Sequence, residues 1–354
     1  MHDLGPITDP VAGASKLSSV DRFFAQFIRD ERDLPFIYLS LQIFCTIVPT
    51  GLLLFSSVIP GYWWYVVAVA NILLVSLYFL GPYTLMLHLT SHRRFYKNEY
   101  SFMNKFVPWI IGPFMGQSPE SYFSHHVGMH HPENNLREDG SSTMAYQRDE
   151  LLHFLHYFFH FMFLGVTDLN AYLLRKNKTT ISTHLLRGER WSYVFLATLT
   201  YLNFRAALWV FLLPYVIIRF GMMSGNWAQH AFINADTPHN SYTNSITCVN
   251  AIYNKLCFND GYHIGHHLMP SMHWTEMPED FIRNKAKYAE NDAIVFEQLD
   301  FFIIWFFLMC KRYDWLAHYY VNLNDKYKTD EEVIAMLKVR TRKCPESVIN
   351  KNYQ

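Results

Sequence analysis

Charged residues are scarce in this sequence. Asp, Glu, Lys and Arg make up 17% of the 354 residues, whereas an average soluble domain has about 25%. Half of the residues are apolar and 17% are aromatic. Lys plus Arg equals Asp plus Glu, so no net positive charge points to a nucleic-acid partner. The composition predicts a membrane protein rather than one or two soluble domains.

Cysteine is also sparse. The five cysteines show no CxxC spacing, which argues against a disulfide framework and favours a reducing compartment. The first 34 residues are polar and mixed in charge, without an apolar stretch preceded by basic residues. We therefore expect no cleavable signal peptide.

Long apolar runs, in contrast, are present. Residues 36–58 contain no charge and are long enough to cross a bilayer core of ~30 Å. After Pro60 and Gly61, a second run covers 62–89 and has Trp63, Trp64 and Tyr65 at its start, which membrane interfaces favour. These two runs predict a helical hairpin.

A second hairpin is predicted further along the chain. Residues 191–225 are apolar apart from an interruption at Asn203 and Arg205. Two spans that meet at this interruption would return the chain to its starting side, although the first of them is short. The sequence thus predicts four transmembrane helices in two hairpins.

Two other apolar segments are not predicted to cross the membrane. Residues 151–174 carry His153, His156 and His160 at helical spacing, which predicts an amphipathic interfacial helix, with a third span as the alternative. Residues 301–309 are too few to cross a bilayer, so this segment is expected to lie on its surface.

Basic residues flank the predicted spans on one side only, and the turn at Pro60 and Gly61 carries none. By the positive-inside rule, both termini and the histidine motifs below face the cytosol. Arg205 is the one contrary charge. The predicted fold is an all-α membrane protein with a cytosolic helical cap that holds a di-metal site. Its predicted parts are a cytosolic segment 1–35, a membrane domain 36–285 and a cytosolic region 286–354.

Histidine is several-fold more frequent than in an average chain, with 18 residues. Nine of them lie in motifs that each place two ligand-type residues four apart. On a helix such a pair lies on one face, so both side chains can reach one metal ion. The motifs are His88-Leu-Thr-Ser-His92, His126-Val-Gly-Met-His130-His131, Asn226-Trp-Ala-Gln-His230 and His263-Ile-Gly-His266-His267.

The motifs restrict the kind of metal site. Imidazole-rich sites suit Zn, Cu, Fe or Ni. No thiolate lies in the motifs, which argues against a structural zinc site or an iron–sulfur cluster. Paired haems would need single histidines that face each other across helices. Isolated histidines at a membrane interface are usually anchors, and we assign no ligand role to His2, His184, His239 and His318.

In these motifs the chain resembles the integral-membrane fatty-acid desaturase family, whose signature is three histidine boxes. The match consists of His88/His92, His126/His130/His131 and His263/His266/His267, and the last box continues as Leu268-Met-Pro270-Ser271. Acyl-CoA desaturases of known structure also carry an Asn-xxx-His element after the fourth span, which Asn226 and His230 match. The resemblance covers roughly residues 36–285.

The resemblance implies a pair of iron ions that activates O2 with two electrons from a separate donor, such as cytochrome b5 or ferredoxin. The substrate would be the acyl chain of a lipid in the membrane. The nine histidines are the implied ligands, with Asn226 holding a metal-bound water, and zinc can occupy the same ligands in purified protein.

The chain departs from the family pattern at three points. Leu89 stands where an acidic residue often follows the first histidine, no HPGG motif of cytochrome b5 occurs, and His263 stands where front-end desaturases have Gln. The last two features argue against a front-end desaturase.

Residues next to the motifs are candidates for supporting roles. Carboxylates often orient ligating imidazoles, and four lie close in sequence: Glu133, Asp139, Asp260 and Glu276. Trp227 and Tyr262 stand beside ligands, and we predict that they line an acyl tunnel.

The leading functional hypothesis is a lipid desaturase, in the endoplasmic reticulum of a eukaryote or the plasma membrane of a bacterium. A hydroxylase with the same irons is the nearest alternative. A membrane protein that stores or senses zinc without catalysis is the alternative from another class. The motifs predict the oxygen chemistry and do not specify the lipid.

Overall fold

The computed structural model describes residues 2–13 and 16–353. The chain is predominantly helical and forms two compact units. The first unit comprises Gly13–Gly128 and Leu173–Gly221. The second unit comprises Met1–Ala12, Met129–Tyr172 and Met222–Gln354.

Helices and short helical turns make up the first unit. They are Ser19–Ala25, Glu31–Asp33, Leu34–Phe55, Gly61–Leu73, Leu74–Phe79, Leu80–His92, Asn98–Lys105, Val107–Ile111, Gly112–Met115, Ser121–His125, Thr179–Leu202, Phe204–Ala207 and Leu208–Leu212. Three helices continue from one unit into the other: His126–His130, Leu151–Arg175 and Leu213–Gln229.

Shorter helices and two strands make up the second unit. The helices are His131–Glu133, Ser241–Asn244, Ile252–Leu256, His263–Leu268, Trp274–Glu276, Met277–Glu290, Phe301–Met309, Tyr313–His318, Asp330–Arg340 and Glu346–Ile349. The strands are Ile246–Val249 and Ile294–Glu297.

Three helices of the described residues are long and apolar enough to cross a membrane. They are Glu31–Phe55, Gly61–His92 and Phe204–Gln229, which confirms the membrane character of the chain. The helix Thr179–Leu202 covers the remaining predicted span, but its first half carries Arg187, Glu189 and Arg190. The arrangement of four spans in two hairpins therefore stays a prediction.

A tight turn joins the first two spans, as the sequence predicts. Pro60 is extended and Gly61 has a φ of +51°, a backbone conformation that glycine adopts without a steric penalty. The indole N–H of Trp64 donates to the carbonyl of Leu54 at 2.8 Å. This hydrogen bond ties the start of one helix to the end of the other.

Asn203 separates two helices of the first unit, as predicted. Its backbone is non-helical, and its side chain accepts a hydrogen bond from the amide of Ala206 at 3.1 Å. Arg205, two residues after Asn203, is the basic residue that the positive-inside rule does not explain. Its guanidinium carbon lies 4.2 Å from the ring centroid of Trp64 and 5.6 Å from that of Tyr65. Such cation–π contacts stabilise a cation beside apolar surroundings.

The helix Leu151–Arg175 is amphipathic in its first turns. Phe154, Tyr157 and Phe158 are buried, whereas His153 and His156 are exposed. Leu152 and Phe159 are also exposed on these turns, so the polar stripe stays a prediction. The position of this helix at the membrane interface stays a prediction.

A two-stranded parallel sheet is an addition to the predicted all-α fold. Ile246 pairs with Ile294 and Val249 pairs with Glu297. Both strands are buried throughout, which is typical of parallel pairs. The helix Met277–Glu290 connects them and packs its Phe281 and Tyr288 into the same core cluster.

Residues 301–309 form a helix, with Asp300 as the N-cap that accepts from the amide of Ile303 at 2.8 Å. One side of this helix, including Ile304 and Leu308, is buried, and Phe302 and Phe306 are exposed. The exposed aromatic side is consistent with contact with a bilayer surface, which stays a prediction.

Gly188 lies at the closest contact of the helix Thr179–Leu202. A Cβ atom there would lie 1.7 Å from the carbonyl oxygen of Pro119, whereas one at Gly225 would meet no atom within 4 Å. We expect Gly188→Ala to cost about 1–3 kcal/mol through overpacking and to lower the midpoint of thermal unfolding in detergent. Gly225→Ala is the matched control and should unfold at or above the wild-type midpoint. Equal midpoints for wild type and Gly188→Ala would contradict this packing.

Candidate metal centre

Four histidines converge inside the second unit. The ring nitrogens that they present all lie within 4.8 Å of one another. Nε2 of His263 lies 3.3 Å from Nε2 of His230 and 3.0 Å from Nε2 of His267, and His130 completes the set. We call His130, His230, His263 and His267 the four-histidine cluster.

Local helical structure positions these side chains. His263 and His267 lie one turn apart on the helix His263–Leu268, as their spacing predicts. His130 ends the π-helical segment His126–His130, and His230 directly follows the helix Leu213–Gln229. The cluster therefore combines three separate stretches of the second unit.

Hydrogen bonds to Nδ1 orient two of the rings. Nδ1 of His130 lies 2.7 Å from a carboxylate oxygen of Asp139, and both residues are buried. The same carboxylate accepts from the hydroxyl of Ser141 at 2.7 Å and from the amide of Asn135 at 3.1 Å. A ring whose Nδ1–H donates to a carboxylate carries its lone pair on Nε2, where a metal can bind.

The ring of His230 is held by a main-chain group. Its Nδ1 lies 2.9 Å from the carbonyl oxygen of Asn244, and its Nε2 faces His263. The carbonyl of His230 in turn accepts from the hydroxyl of Thr143 at 2.6 Å. Both the side chain and the backbone of His230 are therefore fixed by the surrounding loops.

Burial keeps two rings of the cluster neutral. Burial lowers the pKa of His230 to about 3, and repulsion from His130 adds to this effect. Burial also holds the pKa of His267 well below its usual range, with further repulsion from His263. At neutral pH both imidazoles are uncharged, which is the form that binds a metal.

The other five predicted ligands form a trio and a pair. The trio, His88, His92 and His126, lies in the first unit. The ring centroids of His88 and His126 are 4.4 Å apart, and Nε2 of His92 lies 2.9 Å from Nε2 of His126. The pair lies in the second unit, where Nε2 of His131 is 2.9 Å from Nε2 of His266.

Asn226 lies one helical turn before His230, as its spacing predicts. Its amide nitrogen donates to the carbonyl of Ser141 at 3.1 Å and to the hydroxyl of Tyr157 at 2.7 Å. These two bonds fix the orientation of the carboxamide. Its role as the holder of a metal-bound water stays a prediction.

Trp227 and Tyr262 are fully enclosed. The indole N–H of Trp227 donates to the carbonyl of Arg148 at 2.9 Å, and its ring packs among aromatic side chains that include Phe154 and Tyr157. The hydroxyl of Tyr262 donates to buried Asp9 at 2.6 Å, which anchors the start of the helix that carries His263. Their predicted role in an acyl tunnel is not tested by these contacts.

Four carboxylates were proposed from the sequence as supporting residues. One of them, Asp139, bonds to the ring of His130 in the four-histidine cluster. Glu133 accepts from the hydroxyl of Tyr172 at 2.6 Å. Asp260 accepts from the hydroxyl of Tyr253 at 2.8 Å. Glu276 ends the helical turn Trp274–Glu276. All four carboxylates lie close to a motif in the sequence, and their contacts nevertheless differ.

Arg148 is a supporting residue that the sequence did not reveal. It is fully buried, and its guanidinium donates to main-chain carbonyls of Ala231, Thr143, Tyr146, Arg340 and Arg342. One of these carbonyls belongs to Ala231, which directly follows His230. Another belongs to Thr143, whose hydroxyl donates to the carbonyl of His230. No motif signals such a residue, because its partners are backbone atoms distant in sequence.

The donor set fits a first-row transition metal. All four side chains of the cluster offer imidazole nitrogen, and no thiolate takes part. Such sites suit iron, zinc, copper or nickel rather than magnesium or calcium. The geometry thus supports the binding of a metal of this class.

The family model described as fatty acid desaturase matches residues 62–298, which is more than half of the chain and includes every histidine of the trio, the pair and the four-histidine cluster. Comparison with curated proteins and with solved structures gives no significant match.

Asp139 offers a direct test of the cluster. Asp139→Asn keeps the size of the side chain but removes the charge that orients His130. We expect metal content or metal affinity to fall about 10- to 100-fold, as for other partners of ligating histidines. Metal content of purified protein, measured by mass spectrometry, checks this.

Glu138→Gln is the matched control, because Glu138 is the exposed neighbour of Asp139 and should keep wild-type metal content. Full metal loading of Asp139→Asn would mean that the carboxylate has no part in ligand orientation.

Proposed function

Because the chain belongs to the fatty acid desaturase family, a family of oxidoreductases, we propose that it introduces a double bond into the acyl chain of a membrane lipid with two iron ions and O2. The observation that carries this proposal is the four-histidine cluster, whose ring nitrogens converge within 4.8 Å. The three apolar helices are consistent with a substrate that is drawn from the bilayer.

The ligands divide between two ions. We propose that His130, His230, His263 and His267 bind one iron. The other five histidines of the motifs remain candidate ligands, and Asn226 is proposed to hold a water. When bound, the irons would use O2 and two external electrons to remove two hydrogens from adjacent carbons, with two protons taken up and two waters released.

The chain's own residues prepare this chemistry. Asp139 fixes the ring of His130, and the carbonyl of Asn244 fixes the ring of His230. Burial holds the pKa of His230 and His267 low, so protons do not compete with the metal at neutral pH. Ligands held in advance keep the cost of reorganising the site small.

The electron donor and the location are part of the proposal. No cytochrome b5 motif occurs within the given residues, so the electrons would come from a separate protein such as cytochrome b5 or ferredoxin. The basic flanks of the spans support an integral membrane protein with both termini in the cytosol. The membrane would be the endoplasmic reticulum in a eukaryote and the plasma membrane in a bacterium.

The reaction is tested by expressing the chain in yeast and analysing total lipid by mass spectrometry. A desaturase produces lipids that are two mass units lighter, whereas a hydroxylase adds one oxygen atom. We expect the first result. His267→Ala or His130→Ala should abolish the product while the protein remains in the membrane, because each change removes a nitrogen from the cluster.

His318→Ala is the matched control, since His318 is exposed and outside the motifs, and it should keep full activity. A gain of one oxygen would overturn desaturation in favour of hydroxylation. A fully active His267→Ala variant would refute the metal centre itself.

A further inference from the structure

Tyr157 is a buried residue of the second unit that contacts Asn226. It lies on the helix Leu151–Arg175 and is 3% exposed. The nitrogen of the Asn226 carboxamide donates to the Tyr157 hydroxyl at 2.7 Å. The same hydroxyl donates to the carbonyl of Ser141 at 3.2 Å. Tyr157 therefore connects the carboxamide of Asn226 to the segment of chain that contains Ser141.

The hydrogen bonds of Asn226 identify the two ends of its carboxamide. The carbonyl of Ser141 can only accept, so the amide atom that lies 3.1 Å from it is the nitrogen. The second hydrogen of this nitrogen is directed to the hydroxyl of Tyr157. A carboxamide has two N–H donors and one acceptor oxygen. Both donors are thus occupied, and the oxygen is the atom that can accept from a metal-bound water.

Asn226 adjoins the four-histidine cluster in two ways. Its backbone carbonyl accepts from the amide of His230 at 3.2 Å, and residues four apart lie on one face of a helix. Its hydrogen-bond partner Ser141 places its own hydroxyl oxygen 3.4 Å from Nδ1 of His130. The carboxamide therefore lies close to two of the proposed ligands.

Aromatic packing holds the ring of Tyr157 in place. Its centroid lies 4.9 Å from that of Trp227 and 5.7 Å from that of Tyr146, both in edge-to-face orientation, which aromatic pairs favour. The neighbouring Tyr146 directs its hydroxyl elsewhere, to within 3.1 Å of Nδ1 of His156. The packed ring thus gives the carboxamide of Asn226 an acceptor in a fixed position.

We propose that Tyr157 is a positioning residue for the metal centre, because its hydroxyl fixes the carboxamide of Asn226 with the oxygen toward the metal-bound water. The inference rests on the proposed function, in which Asn226 holds that water. Tyr157 itself contacts neither metal nor substrate in this arrangement. Without its hydroxyl, one N–H of the carboxamide would lose its acceptor, and the carboxamide would be held by one hydrogen bond instead of two.

The affinity of the purified protein for Fe²⁺ alone tests the inference, measured without O2 by competition with a chromogenic chelator. Tyr157→Phe removes one oxygen atom and should weaken Fe²⁺ binding about tenfold, as for other residues that orient metal ligands. Tyr146→Phe is the matched control, because it removes the same atom from the neighbouring ring, and it should keep wild-type affinity. Unchanged affinity in Tyr157→Phe would overturn the inference.

A double-mutant cycle separates positioning through Asn226 from a general loss of stability. Asn226→Ala should also weaken Fe²⁺ binding about tenfold. In that background Tyr157→Phe should cause no further loss, because the effects of two residues that act through one contact do not add. A structural effect of Tyr157→Phe would appear in both backgrounds. A further tenfold loss in the double variant, or wild-type affinity in Asn226→Ala, would therefore contradict the inference.

The lipid analysis tests the proposed function independently. Fe²⁺ affinity that Tyr157→Phe lowers only when Asn226 is present, in a chain that forms no lipid product, would support the inference and refute the proposed function. Formation of the double bond by wild type, together with unchanged Fe²⁺ affinity in Tyr157→Phe, would do the reverse.

Discussion

The convergence of four imidazoles is the constraint on which the second unit depends. Ring nitrogens within 4.8 Å of one another would repel strongly if two of them were protonated. Burial prevents this by lowering the pKa of His230 and His267. Neutral ring nitrogens that converge in this way can be shared by one metal ion. The cluster is thus arranged for metal binding rather than for packing alone.

The surrounding contacts serve this convergence. Asp139 and the carbonyl of Asn244 each hold the outer nitrogen of one ring. Arg148 then holds the loops that carry these groups, through five main-chain carbonyls. A buried guanidinium has a high desolvation cost, which these hydrogen bonds offset. The histidine rings therefore lie at the centre, Asp139 and the carbonyl of Asn244 hold them, and Arg148 holds the surrounding loops.

Much of the site was predictable from the sequence because it depends on local geometry. The i,i+4 spacing of His263 and His267 forms on one short helix, and the helix break at Asn203 follows from its own side-chain cap. The membrane hairpin follows from apolar length and from the turn at Gly61. These features need only neighbours in the chain.

Other features depend on contacts between distant residues and were not predictable. The strands Ile246–Val249 and Ile294–Glu297 pair across more than forty residues, so no local pattern announces them. Asp139 orients His130, and its distance along the chain does not show which ring it contacts. Arg148 binds backbone atoms of both Ala231 and Arg340, which leaves no trace in a single sequence.

Metal stoichiometry is the most direct test of the central claim that these histidines bind two irons. Protein produced in iron-rich medium and purified without chelators can be analysed for metal content, with X-ray absorption at the iron edge to identify the ligands. The account predicts about two irons per chain, each with nitrogen and oxygen ligands and without sulfur. Stoichiometric zinc that persists under iron-rich expression, together with an absence of O2 consumption when a reductant is supplied, would contradict it.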